Sequence, residues 1–456
     1  MASAKSSSKS NLRIECSVQP LDLSFHPERE TIVAAALVDG TLEVHDFEAL
    51  LSCQDAKPKA DQDDDDDEDD TILSSTAVHT QNIPVPNRNG DSTTNVATKN
   101  ASCRTVLFSN NQGHRLFTGG SAGDVVCIDA SRVCSFSSKT ANSILWRIEE
   151  ASVGTSLHNP LHVLHQLPAT CCKGNLIVSG DDHGGVRLWD ERLLDTKTTK
   201  GSNQMQRNNQ RQSSDSALKL PKGCVLSWKE HNDYISDLTH SEDGNTLVAT
   251  SSDGCLSVFD IRKSSTSNIL QNSQYVKKSD PQDDELLSVA ILKHGRKIVA
   301  GTHEGVVAVW SWGTWGDISD RFPTVCPKGT SMDAILKMDE DTFLTGTSDG
   351  RIRVVTIHPN KVLGSLGDHD HGFPIEALGF SANRKYVGSV SHDPYIRLWD
   401  TKNLILHDDD EEDEEEDKQD DKPRKRPAPA AAAAAAKVNK GAKKLKTKNE
   451  EFFSDL

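Results

Sequence analysis

The sequence predicts an all-β chain: a seven-bladed β-propeller with a disordered C-terminal tail, acidic and then basic. Three observations carry that expectation. A short hairpin signature recurs seven times, the stretches that separate the repeats unevenly are polar and low in complexity, and the last fifty residues are charged and poor in large apolar side chains. Repetition at a near-fixed period marks units that cannot bury both faces alone and must pack on their neighbours.

The hairpins follow one another along the chain. They read DGTLEVHD (Gly40), GDVVCID (Gly123), GGVRLWD (Gly184), DGCLSVFD (Gly254), EGVVAVWS (Gly305), DGRIRVVT (Gly350) and PYIRLWD, where Pro394 replaces glycine. Each follows an apolar run such as TIVAAAL, NLIVSG or KYVGSV, rich in residues that suit strands. The segment after each turn tends to alternate, as a strand with one buried face would. The turn needs a residue that tolerates positive φ, which explains the glycine. Upstream lies a further short strand, LDLSFHP in the first unit and IEALGFS in the last, so each unit has at least three strands.

Spacings between anchors are 83, 61, 70, 51, 45 and 44 residues. The excesses coincide with polar insertions, which belong in surface loops. These features divide the chain into a disordered N-terminus at 1–11, a propeller at 12–405 and a disordered tail at 406–456. Blades end near residues 47, 130, 191, 261, 312, 357 and 401, with disordered insertions at about 55–98 and 195–218.

With LWD at Leu188–Asp190 and Leu398–Asp400, the unit resembles the WD40 repeat. The resemblance implies that an N-terminal strand completes the last blade, and ECSV near Glu15–Val18 is the candidate. Departures from the repeat are plain. Phe259, His45, Ile128 and Val355 stand where tryptophan is usual, and the Gly-His pair is reduced to bare histidines such as His231 and His369 or His371. Blades that lack members of the Trp, His and Asp network must depend more on apolar packing.

Net charge is −17, but most of the excess sits in two runs at 61–70 and 408–421. Without these runs, 50 basic residues face 47 acidic ones, so the globular part is nearly neutral. Ten scattered cysteines show no C-x-x-C spacing, which suits reduced thiols in a cytosolic or nuclear compartment. No window approaches the ~18 apolar residues of a membrane span, so no membrane partner is expected.

Ser391-His392-Asp393 invites comparison with a hydrolytic triad, yet sequence neighbours on a strand end point in alternating directions. The matching positions in other units read as turns, and no catalytic residue is expected. Asp368-His369-Asp370-His371 alternates metal-ligand types without a companion cluster, so neither a metal nor a cofactor is expected. Two segments suit docking: Trp189, Asp190 and Arg192 form a W-D-x-R sequence, and Asp260 with Arg262 nearly repeats it. By resemblance these match the box by which WD40 substrate receptors dock onto the DDB-type adaptor of cullin-RING ubiquitin ligases, through arginines capable of bidentate contacts. In the tail, Lys422, Arg424, Lys425, Arg426, Lys443, Lys444, Lys446 and Lys448 form basic clusters that read as nuclear targeting or non-specific RNA contact. Phe452, Phe453 and Leu456 form a short apolar docking motif at the end of a charged tail.

Over roughly residues 12–456, and most strongly from Glu285 to Asp400, the chain resembles the WD repeat-containing protein 55 family. The residues that carry this are WSWG with SDRFP after blade five, IHPNKVLGSLGDH leading into blade seven, SHD with IRLWD, and the terminal FFSDL. The resemblance implies a non-catalytic nucleolar scaffold in ribosome biogenesis and ribosomal RNA processing. Its partners would be pre-ribosomal assembly factors or ribosomal proteins, with the chain a monomeric subunit of a larger complex in the nucleus, nucleolus and also the cytoplasm. The alternative is a substrate receptor of a cullin-RING ligase.

Overall fold

The structure is a computed structural model that describes residues 12–55, 79–84, 102–110, 112–136, 143–148, 159–168, 176–194, 221–262, 276–369 and 372–405. Met1–Leu406 forms one unit, and the described residues all belong to it. The insertion at 195–218, the N-terminus at 1–11 and the tail at 406–456 lie outside the described residues.

Seven four-stranded antiparallel sheets surround a central channel, as the repeats predict. In each blade, strand a lines the channel and strands b, c and d follow outwards. From blade 1 to blade 7, strand a is Pro20–Phe25, Cys103–Phe108, Leu161–Gln166, Ile235–His240, Leu286–Leu292, Met332–Lys337 and Ile375–Phe380. Strand b is Ile32–Leu37, Arg115–Gly120, Leu176–Asp181, Thr246–Ser251, Lys297–Thr302, Thr342–Thr347 and Tyr386–Ser391. Strand c is Thr41–Asp46, Val125–Asp129, Gly185–Asp190, Leu256–Asp260, Val307–Ser311, Arg351–Thr356 and Tyr395–Asp400. The six anchor glycines between b and c have φ between +72° and +86°. In this left-handed region an L side chain is strained.

Strand d, which the repeat alignment does not reveal, is His79–Pro84, Ile144–Ile148, Cys224–Lys229, Val276–Lys278, Asp320–Phe322 and Lys361–Asp368 in blades 1 to 6. The first of these falls inside the insertion at 55–98, so that stretch is not disordered throughout. An outermost strand is fixed by the backbone bonds of its one neighbour and needs no apolar pattern to betray it.

Blade 7 borrows its outer strand from the N-terminus. Leu12–Glu15 pairs with strand c in the register Leu12 to Leu398 and Glu15 to Tyr395, and Cys16 N donates to Pro394 O at 2.8 Å. The closing strand therefore begins three residues before the ECSV expected from sequence and shares only Glu15 with it. Leu12 and Ile14 are the buried positions that anchor it, and Ser17 has already turned towards blade 1.

The core is a ring of seven clusters, each lying between two blades; Ala34, Leu42 and Val44 of blade 1 meet Val106 and Leu116 of blade 2 in one of them. Each sheet is thus covered on both faces. Strand c of blade 1, Thr41–Asp46, is buried at every residue between its two ends, in place of the one-sided alternation expected.

Blade 7 contains a complete polar network. Trp399 Nε1 donates to Ser389 Oγ at 2.8 Å, Ser389 Oγ lies 2.7 Å from His369 Nε2, and His369 Nδ1 lies 3.4 Å from Asp393. Elsewhere members are missing. In blade 4, His231 meets Asp253 at 3.0 Å, but Ala249 and Phe259 occupy the serine and tryptophan positions and His231 Nε2 has no partner. In blade 5 the buried Trp310 Nε1 is likewise unpartnered, because Ala300 stands where a serine would accept its hydrogen.

Candidate functional site

The repeat places one irregularity at the same point of every blade. Register between strands a and b shifts across Leu21, Arg104, His162, Ser236, Leu287, Asp333 and Glu376. A bulge re-aims the extra side chain. All seven line the channel, which encloses about 560 Å³, and they ring its mouth at the end where strands a begin.

The ring is electrostatically lopsided. Blades 2 and 3 contribute Arg104, whose Nη1 lies 2.8 Å from His162 Nε2 and 3.4 Å from Asp182 in the adjoining turn. His162 stacks on Tyr234 with ring centroids 4.6 Å apart. Burial lowers its pKa, against the nearby Asp182 carboxylate. Blades 6 and 7 contribute Asp333 and Glu376. Burial pushes the Asp333 carboxyl up to about 6, and the neighbouring Glu376 adds to the rise. Asp333 Oδ2 is buried without a hydrogen-bond partner. Glu376 Oε1 meets His392 Nε2 at 2.6 Å. An underused carboxylate beside a second one suits a cationic or N–H-bearing side chain of a partner.

Deeper in the channel, Asp22 and Asp237 tie blades together. Asp22 Oδ2 accepts from Val106 N and Asp237 Oδ2 from Val289 N, both at 2.8 Å. Burial raises these carboxyls to about 6 and about 7.

Ser391, His392 and Asp393 engage separate partners: Ser391 Oγ donates to Phe373 O, His392 meets Glu376, and Asp393 meets His369 and Arg397. They are not assembled as a triad. Of the Asp368 to His371 run, His369 belongs to the blade 7 network, and residues 370 and 371 lie outside the described residues. Among the described residues, three side chains of metal-ligating type do converge: Cys16, Glu43 and His45, where blade 7 meets blade 1.

The W-D-x-R candidates lie at the opposite end of the ring, where strands c finish. Trp189 is fully buried and donates to Ser179 Oγ at 2.9 Å, so its side chain belongs to the core. Arg192 does not project freely either. It folds back on Asp190 through Nε at 2.9 Å and Nη2 at 2.6 Å, and Arg262 does the same with Asp260 at 3.0 and 2.9 Å. Both arginines remain about half exposed, on adjacent blades. The tail candidates from Lys422 to Leu456 lie outside the described residues.

Sequence reasoning missed the bulge ring. Its members share no residue type, and only their common offset from strand a could have linked them.

A family model described as "WD domain, G-beta repeat" matches residues 222–260 and 360–400. Over 395 residues the chain is 29% identical to WD repeat-containing protein 55 of Arabidopsis thaliana, covering 86% of this chain and 84% of that one. It is 32% identical over 309 residues to WD repeat-containing protein JIP5 of Cryptococcus neoformans, covering 67% and 69%. Human WD repeat-containing protein 55 is 27% identical over 382 residues, covering 84% and 74%. Among solved structures, Chaetomium thermophilum Raptor superposes with a TM-score of 0.56 at 17% identity, covering 85% of this chain and 29% of that one, a likeness of fold alone.

Proposed function

The chain belongs to the WD repeat-containing protein 55 family, and from that premise we propose that it is a non-catalytic scaffold in nucleolar ribosome biogenesis and ribosomal RNA processing. WD40 propellers act in general by presenting rigid surfaces to other proteins. One observation of this molecule supports the reading most directly: the channel mouth sets an incompletely satisfied acidic arc, Asp333 and Glu376, on a closed and rigid ring. Such a mouth suits the basic segments of ribosomal proteins or of assembly factors, with the basic clusters of the tail adding screened attraction to RNA.

The test is affinity purification of the full chain, a version ending at Leu406, and a full-length Asp333→Lys/Glu376→Lys variant, with bound proteins and RNA identified. The expected result is ribosomal precursors on the full chain, fewer on the truncated one, and loss of specific proteins from the mouth variant. Absence of ribosomal precursors from the full chain would sink the reading. The paired Asp-bound arginines on blades 3 and 4 favour one second reading, docking to a cullin-RING adaptor. That predicts adaptor on the full chain and its loss from Arg192→Ala/Arg262→Ala.

A further inference from the structure

We propose that Cys16, Glu43 and His45 form a zinc site that staples the closed ring. Cys16 directly follows the strand that blade 1's end of the chain lends to blade 7, while Glu43 and His45 lie on strand c of blade 1. One ion at this point would tie the borrowed strand to the blade on the other side of the closure.

The repeat itself shows that the place is unusual. Cys16 N bonds Pro394 O just as His369 N bonds Gly350 O, so Cys16 occupies in blade 1 the position of the network histidine of blade 7. His45 stands where Trp399 stands in blade 7. The Trp–Ser–His chain of hydrogen bonds is replaced by a thiol, an imidazole and a carboxylate.

Geometry favours a metal. Cys16 Sγ lies 3.7 Å from His45 Nε2, and Glu43 Oε2 lies 3.3 Å from the same nitrogen. A tetrahedral zinc with its usual bond lengths would set those edges at about 3.6 and about 3.3 Å. The other ring nitrogen, Nδ1, lies 3.0 Å from Thr80 Oγ1, which can accept its hydrogen and leave Nε2 with a free lone pair facing the cluster.

The carboxylate suits a cation. Glu43 is 1% exposed, and besides His45 and Cys16 it is held by Ser17, whose N lies 3.3 Å from both oxygens, near the weak end of the hydrogen-bond range, and whose side chain adds a further bond. These bonds hold Glu43 in its charged form, and a buried negative charge gains from a cation placed beside it. A zinc ion with one thiolate, one carboxylate and a neutral imidazole carries no net charge, leaving the fourth position to water.

The test uses the full chain, purified without chelator, then stripped and titrated with Zn²⁺ or Co²⁺. Expected are one metal per chain, a higher melting temperature with zinc, a thiolate-to-cobalt charge-transfer band, and one sulfur neighbour in the X-ray absorption spectrum of the zinc form. Cys16→Ser should abolish both sulfur signals, and a variant with Cys53, Cys171 and Cys172 all changed to serine should keep them. Failure to bind stoichiometric metal, zinc without a sulfur neighbour, or loss of the sulfur signal in the triple variant would each overturn the proposal. The triple variant and the intact chain decide the matter even if Cys16→Ser does not fold.

Discussion

At the scale of single residues, small differences in the buried network decide how each blade is held. Trp399 and Trp189 both donate to a serine ten residues earlier, whereas Trp310 faces Ala300 and donates to nothing. Ala300→Ser should therefore give Trp310 an acceptor and raise stability by about 0.5–1.5 kcal/mol, read as a shifted denaturation midpoint at constant slope. Ser389→Ala should cost about 1–3 kcal/mol, since it leaves the Trp399 and His369 nitrogens buried without their partner. An unchanged midpoint in both would mean the networks contribute nothing measurable. The presence of Trp189 and Trp399 could be read from sequence. Which histidine blade 7 uses could not, because His369 and His371 sit two apart in one run and only the fold shows that His369 meets Ser389.

Elements owe their positions to turns and to register. Gly254 has φ +75°, and a Cβ there would lie 2.5 Å from Gln282 O, while Gly295 at +76° has nothing within 4 Å of that point. Gly295→Ala should cost only the left-handed strain of about 1–2 kcal/mol, and Gly254→Ala clearly more because backbone must also move. Equal losses in urea titration would contradict this. The closing strand makes a second case. Ile14 is fully buried opposite Ile396, so Ile14→Ala should lose about 2–5 kcal/mol and expose the edge of blade 7 to proteolysis. Strands a, b and c were legible because they are apolar and bounded by turns. Strand d was not, since HTQNIP at 79–84 is specified by the backbone of its neighbour and by no pattern of its own.

For the whole molecule, the channel couples ring geometry to pH. Asp237 has its carboxyl raised to about 7, so between the unfolded value and pH 7 the folded chain holds a proton that the unfolded chain has released. The stability it contributes falls as pH rises through that window. His165 runs the other way. Burial, and then the facing His240 at 2.6 Å, lower its pKa to about 3, so the unfolded chain binds the proton first and stability falls as pH drops below 6.5. Relative to Asp237→Asn, the intact chain should thus lose stability from pH 4 to 7; relative to His165→Gln it should gain over the same range, with slopes of at most about 1.4 kcal/mol per pH unit. Melting curves of the three proteins across that range check both signs, and parallel curves would refute them.

The sequence by itself determined that there are seven blades, where their hairpins turn, and which family the chain resembles, because repetition and turn chemistry are local and survive in one dimension. Only the tertiary structure decided which side chains meet. The mouth ring is drawn from seven strands that share only an offset, and Cys16 reaches His45 across 29 residues because the ring closes there. It also turned the W-D-x-R tryptophan inward and folded each arginine back on its own aspartate. Contacts of that kind depend on closure, and closure joins the two ends of the repeat, which no local pattern records.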